Sequence, residues 1–142
     1  MRKYDKSMMK TAYVWAEESY CRRNKVGAVI GKDGRVISIG YNGTIKNADN
    51  NCEDEVEGTD QLVTKQNVIH AEANALTFAA KNGIKTKNCT LYVTLSPCIE
   101  CSKLIVQSGI KEVVYNEEYR IADGIEFLRK HKVEVIKSEI IL

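Results

Sequence analysis

The sequence predicts an α/β fold: a three-layer α/β/α sandwich built on a five-stranded mixed β-sheet. Three observations carry this reading. The chain has 142 residues, 44% hydrophobic and 28% charged, which suits one globular domain over residues 1–142 and excludes disorder or fibrous structure. Apolar residues recur at helical spacing in some segments and gather into short β-rich runs in others. The segments order as α-β-β-α-β-α-β-α-β, and alternation after an opening hairpin favours crossovers and parallel strands.

Each element has its own justification. Residues 5–20 place Met8, Ala12, Trp15, Ala16 and Ser19 on one helical stripe. Residues 26–30 are an apolar run, Gly31-Lys32-Asp33-Gly34 is a turn, and residues 35–41 form the returning strand of a hairpin. Residues 43–67 are polar and read as a long loop, a length that in a compact domain usually serves a function. Residues 69–82 are Ala-rich and helical, closed by Gly83. A strand follows over 89–95, then a helix over 98–108 closed by Gly109, a strand over 111–115, a helix over 121–130 and a strand over 132–136.

Lys and Arg total 21 against 19 Asp and Glu, a net charge of +2 with neutral histidines. That balance argues against a binder of polymeric nucleic acid or of a membrane surface, and leaves room for a small anionic ligand. No apolar run approaches the roughly 18 to 20 residues that span a bilayer, and the charged start, Met1-Arg2-Lys3-Tyr4-Asp5-Lys6, lacks a signal-peptide core. A cytoplasmic protein is expected. The five cysteines, an odd count, then point to metal binding or free thiols rather than a disulfide framework. Cys21 and Cys52 read as free thiols, Cys89 as a buried apolar residue, and His131 as a surface residue near a helix end.

The chemistry concentrates in His70-Ala71-Glu72 and, 26 residues past Glu72, in Pro97-Cys98-Ile99-Glu100-Cys101. Cysteines at i and i+3 share a helix face and can grip one ion. Pro97 suits the first helical position, and the positive end of the helix favours thiolates. His70, Cys98 and Cys101 make three ligands and leave a fourth tetrahedral position for water, the pattern of a catalytic zinc. In a regular helix, side chains two apart diverge by about 200°. His70 and Glu72 therefore share a pocket only where the helix begins. Glu72 would then stand beside a zinc-bound water as general acid and base. His-x-Glu followed by Pro-Cys-x-x-Cys is the signature of zinc nucleobase deaminases. Two blander readings remain open, a redox Cys pair and a closed structural zinc that adds Cys89.

Over about residues 7–136 the chain resembles the deoxycytidylate (dCMP) deaminases. Val26-Gly27-Ala28-Val29-Ile30 followed by Gly40-Tyr41-Asn42-Gly43-Thr44 looks like that family's substrate loop, and Asn51-Cys52-Glu53-Asp54 like the long loop after it. The stretch from His70 through Leu76, the stretch after the Cys pair and Tyr119-Arg120 are similar to it as well. The resemblance implies the cytidine deaminase-like fold and hydrolysis of dCMP to dUMP and ammonia, with Glu72 as proton carrier. It implies substrate contacts from the Ala71 N–H, the Ser96 carbonyl, Asn42 and Tyr119. Arg22, Arg23, Lys25 and Arg120 are the cations it offers a phosphate. It further implies a homohexamer activated by dCTP with Mg²⁺ and inhibited by dTTP, with Gly43, Thr44 and Lys81 at the effector site. Some phage relatives carry a second, structural zinc. Cys21 and Cys52 stand at its Cys positions, but no histidine stands near Asp60, so one zinc per chain is expected. Two alternatives stay open: a zinc deaminase acting on another cytosine or adenine compound, and a non-catalytic nucleotide-binding module.

Overall fold

The computed structural model describes residues 2–141. Its elements run α1 (Asp5–Ala16), β1 (Gly27–Lys32), β2 (Arg35–Tyr41), β3 (Gly43–Thr44), β4 (Glu53–Glu55), β5 (Leu62–Thr64) and β6 (Val68–Ile69). They continue with α2 (Ala71–Lys81), β7 (Thr90–Leu95), α3 (Ile99–Gln107), β8 (Glu112–Glu117), α4 (Asp123–Lys130) and β9 (Glu134–Lys137).

Five strands form one mixed sheet in the order β2-β1-β7-β8-β9. The predicted hairpin is there, β1 pairing antiparallel with β2. The other edge of β1 takes β7 antiparallel, with Val29 opposite Tyr92. β7, β8 and β9 are parallel, as the alternation of helix and strand predicts.

Two apolar clusters lie on the two faces of the sheet. Alternate residues of a strand point to opposite sides, so Val29 joins one cluster while Ala28 and Ile30 join the other. Helix α1 covers the first face, through Met8, Met9 and Ala12 against Val29, Tyr92 and Val114, and Ile140 after β9 joins it. Its start is tied down by charge: Asp5 accepts from Arg2 and from the Tyr92 hydroxyl at 2.9 Å, and Arg2 reaches Glu112 at 2.6 Å. Helices α2, α3 and α4 cover the second face through Ala75, Leu76, Ile105, Ile125 and Leu128. Cys89 is fully buried in that cluster, as expected. His131 caps the end of α4, exposed, its ring beside the Phe127 carbonyl.

The segment read as a single loop, residues 43–67, is more ordered than its polarity suggests. β3 pairs with β6, and β4 pairs with β5. These ladders bring residues 53 and 64 together and fold the segment back onto the turn after α1. A second expectation is corrected in the same place. Cys21 and Cys52 are not free thiols but are joined in a disulfide, their Cα atoms 5.2 Å apart. An odd cysteine count leaves one residue unpaired somewhere; it does not stop two distant ones from meeting once β4 folds back.

Candidate active site

The first turns of α2 and α3 meet at one end of the sheet. His70 is the N-cap of α2, with extended backbone (φ −73, ψ 158), and Ala71 begins the helix. This is the geometry that lets His70 and Glu72 face one pocket despite their spacing. Cys98 is likewise the N-cap of α3 (φ −75, ψ 171), which puts Cys101 in the first turn. Pro97 stands one residue before the cap, not at the first helical position. A proline restricts the residue before it to extended backbone, and Ser96 is where the chain leaves β7.

Glycines let these parts approach. A Cβ on Gly40 of β2 would lie 2.4 Å from the Ala71 carbonyl oxygen and 2.5 Å from the Ala75 nitrogen. A Cβ on Gly124 of α4 would lie 2.1 Å from the Pro97 carbonyl oxygen. Both ligand-bearing turns are thus seated on backbone that has no room for a side chain.

The His70 Nδ1 lies 3.5 Å from Cys98 Sγ and 3.3 Å from Cys101 Sγ. The three ligand atoms fall within 4.8 Å of one another. Tetrahedral zinc with Zn–N near 2.0 Å and Zn–S near 2.3 Å holds its ligands at such separations, so the donor set fits the ion in both chemistry and spacing. The group also shares charge. The Cys98 thiol is pushed down to about 3 by the hydrogen bond from Cys101 and then by His70. The same contact pushes Cys101 up, and Cys98 raises His70.

Glu72 is buried, 4% exposed, beside this cluster. Burial pushes its carboxyl up to about 7, against the opposing pull of its own backbone N–H and of His70. A carboxyl balanced near neutrality can give and take a proton.

A cleft of about 140 Å³ opens over these residues. Ala71, Asn42, Ser96, Tyr119 and Arg23 also line it. Ser96 is buried, and its Oγ accepts the Tyr119 N–H at 2.7 Å, which fixes the start of the Tyr119 segment. Asn42 Oδ1 accepts the Val26 N–H and its Nδ2 donates to the Asn24 carbonyl, both at 2.8 Å. One amide hydrogen of Asn42 is left for a ligand.

The predicted cations separate. Arg23 faces the cleft, with Nη1 donating to Thr64 Oγ1 at 3.0 Å. Arg22 turns to Glu53 and Glu55. Lys25 and Arg120 are exposed and lie outside the cleft lining. Gly43 and Thr44 form β3, paired with β6 directly before His70, and Lys81 ends α2, exposed. The structure adds Glu53 and Thr64 to the cleft wall. The family resemblance passes through Glu53 without giving it a role, and the β4–β5 ladder that places both residues consists of three-residue strands of mixed polarity with no period to read.

Residues 2–117 match the family model described as the cytidine and deoxycytidylate deaminase zinc-binding region. The deoxycytidylate deaminase of Enterobacteria phage T4 is 39% identical over 80% of this chain and 77% of its own length. That of Mycobacterium phage D29 is 40% identical over 81% of this chain and 95% of its own. Among solved structures, the dCMP deaminase of cyanophage S-TIM5, in complex with dCMP and dUMP, superposes with a TM-score of 0.85 at 43% identity. It covers 93% of this chain and 94% of its own. With its zinc-ligand cluster and buried acid lying inside the matched region, the chain belongs to the cytidine and deoxycytidylate deaminase family.

Proposed function

We propose that this chain hydrolyses the 4-amino group of dCMP, giving dUMP and ammonia. One observation carries the chemistry: a buried carboxyl, Glu72, that lines the same cleft as a His70-Cys98-Cys101 cluster that fits zinc. Zinc bound there supplies Lewis acidity, bringing the pKa of a water from 15.7 to about 7. Glu72 would take one proton from the attacking water and pass it to N3 of the ring, then take the second from the hydroxyl now on C4 and pass it to the amino group, which leaves as ammonia while C4 becomes the carbonyl of dUMP. The Ala71 N–H, at the positive end of α2, holds the ring O2. The Ser96 carbonyl accepts from the amino group, and the free amide hydrogen of Asn42 reaches the sugar or ring. Tyr119 closes the cleft over the base. Arg23 takes the 5′-phosphate, with Lys25 and Arg120 adding positive field and Arg22 in support.

The preference for the monophosphate is supported by the dCMP and dUMP bound to the S-TIM5 relative and by the Arg23 side of the cleft. The same reading takes one zinc per chain and a cytoplasmic homohexamer. It adds activation by dCTP with Mg²⁺ and inhibition by dTTP through Gly43, Thr44 and Lys81.

Deamination of dCMP by the zinc-loaded protein, followed by ammonia release with and without dCTP and Mg²⁺, tests the proposal. Formation of dUMP with stimulation by dCTP supports catalysis and regulation together. Formation of dUMP on a hyperbola that no effector moves removes the regulatory part alone. No turnover of dCMP by protein carrying one zinc per chain removes the substrate assignment.

A further inference from the structure

A second buried carboxylate borders the cleft, and the chemistry at the ring does not use it. Glu53 is 2% exposed and opens β4. Its Oε2 accepts the backbone N–H groups of Arg22 at 2.9 Å and Arg23 at 3.0 Å. Its Oε1 lies 3.4 Å from Nε of Arg22. Two successive backbone N–H groups converging on one oxygen form a small anion-holding concavity. Burial pushes this carboxyl up, but the hydrogen bonds from Arg23 and Arg22 outweigh it and hold the group below its ordinary value.

The consequence lies in how the two arginines divide. Arg22 is drawn to Glu53 and, at 3.6 Å, to Glu55, so its charge is largely matched. Arg23 has no carboxylate partner among the described residues and faces the cleft. Thr64, which receives Arg23 Nη1, is the register partner of Glu53 in the β4–β5 ladder. The turn that Glu53 holds also supplies the Asn24 carbonyl that fixes the Asn42 amide. Asn42 keeps a separate hold through the Val26 N–H, so the carboxylate bears on the arginine that borders the cleft. The Cys21–Cys52 crosslink joins the residues immediately before the turn and before Glu53.

We infer that Glu53 is a positioning residue for the phosphate end of the substrate. By gripping the turn at Arg22 and Arg23 it leaves Arg23, and not Arg22, to meet the anionic group of a nucleoside monophosphate. This rests on the dCMP reading above. The carboxylate itself touches no substrate; it acts through the turn and makes the cleft discriminate a nucleotide from its nucleoside.

The test is the ratio of kcat/KM for dCMP to that for deoxycytidine, in the zinc-loaded parent and in Glu53→Gln, with zinc content checked in each. Glu53→Gln is expected to raise KM for dCMP by roughly tenfold or more, the scale of losing charge-assisted hydrogen bonds. Its kcat on dCMP and its kcat/KM for deoxycytidine are expected to stay close to the parent's. Glu55→Gln, which removes an exposed partner of Arg22, is expected to leave the ratio unchanged. If deoxycytidine is turned over too slowly to follow, competitive inhibition by dUMP against that by deoxyuridine reads the same ratio. If Glu53→Gln does not fold, Glu53→Asp, which keeps the charge but shortens the reach, is expected to lower the ratio. A ratio that does not move, or equal losses on both substrates, overturns the inference while dCMP deamination stands. A parent that shows no preference for dCMP over deoxycytidine overturns the substrate reading itself, and this inference with it.

Discussion

Under the proposed mechanism, Glu72 is the residue on which the most depends. Glu72→Gln keeps the shape of the side chain and removes its proton traffic. It is expected to retain zinc while losing roughly 10² to 10⁴-fold or more in kcat, the range for a general acid–base that serves more than one transfer. Metal analysis and steady-state rates on the same sample check this. The carboxyl also has a signature without metal. Its value rises from 4.5 to about 7 on folding, so the folded state binds the proton more tightly between those values. Stability from this group is full below the unfolded value and is lost as pH rises through the folded one. Metal-free Glu72→Gln should therefore be more stable than the metal-free parent near pH 8, by up to about 3 kcal/mol. The two should differ little near pH 4, which urea unfolding at both pH values would show. His70, Glu72, Cys98 and Cys101 were legible because their chemistry is written in short spacings and in residue types with few other uses. Glu53 was not, since a glutamate in a polar stretch has no spacing that announces burial, and its partners lie some thirty residues away.

At the scale of elements, the helices and long strands follow from apolar period and glycine stops, with shifts of a residue or two at most ends and of four at the end of α1, which stops at Ala16 rather than at residue 20. The short ladders β3–β6 and β4–β5 escaped because two- and three-residue strands of mixed polarity carry no period to read. The Cys21–Cys52 bridge escaped with them, since it depends on that fold-back. The seat of α2 on β2 is a testable element contact. Gly40→Ala would drive a methyl against the Ala71 carbonyl and the Ala75 nitrogen, which belong to backbone and cannot rotate away. A cost of roughly 1 to 3 kcal/mol in unfolding free energy is expected. Zinc affinity should fall as well, because the displaced turn carries His70. A zinc titration beside thermal unfolding separates this from destabilisation alone.

For the whole molecule, the ligand cluster joins the first turns of two helices. His70 comes from the start of α2, and Cys98 and Cys101 from the start of α3. An ion bound there stabilises the folded chain by mass action, about 4 kcal/mol at a thousandfold excess over Kd. A strong chelator is expected to lower the thermal midpoint by roughly 10 °C, and restored zinc should return it. An unchanged midpoint would mean that the cluster does not hold metal in the folded protein. The near-neutral charge and the 142-residue length set the frame for this reading, but neither showed that one end of the sheet would gather both helix starts. That follows from β7 lying between β1 and β8, so that the turns leading into α2 and α3 reach the same edge of the core. Neither of these helices has a side-chain cap on its first amides. The leading N–H groups of α2 and α3 should consequently exchange quickly with deuterated solvent in metal-free, ligand-free protein. Protection of Ala71 and Glu72, read amide by amide, would then rise in two steps, first with zinc and again with nucleotide. The uncapped start of α2 becomes a built-in counter of how full the site is.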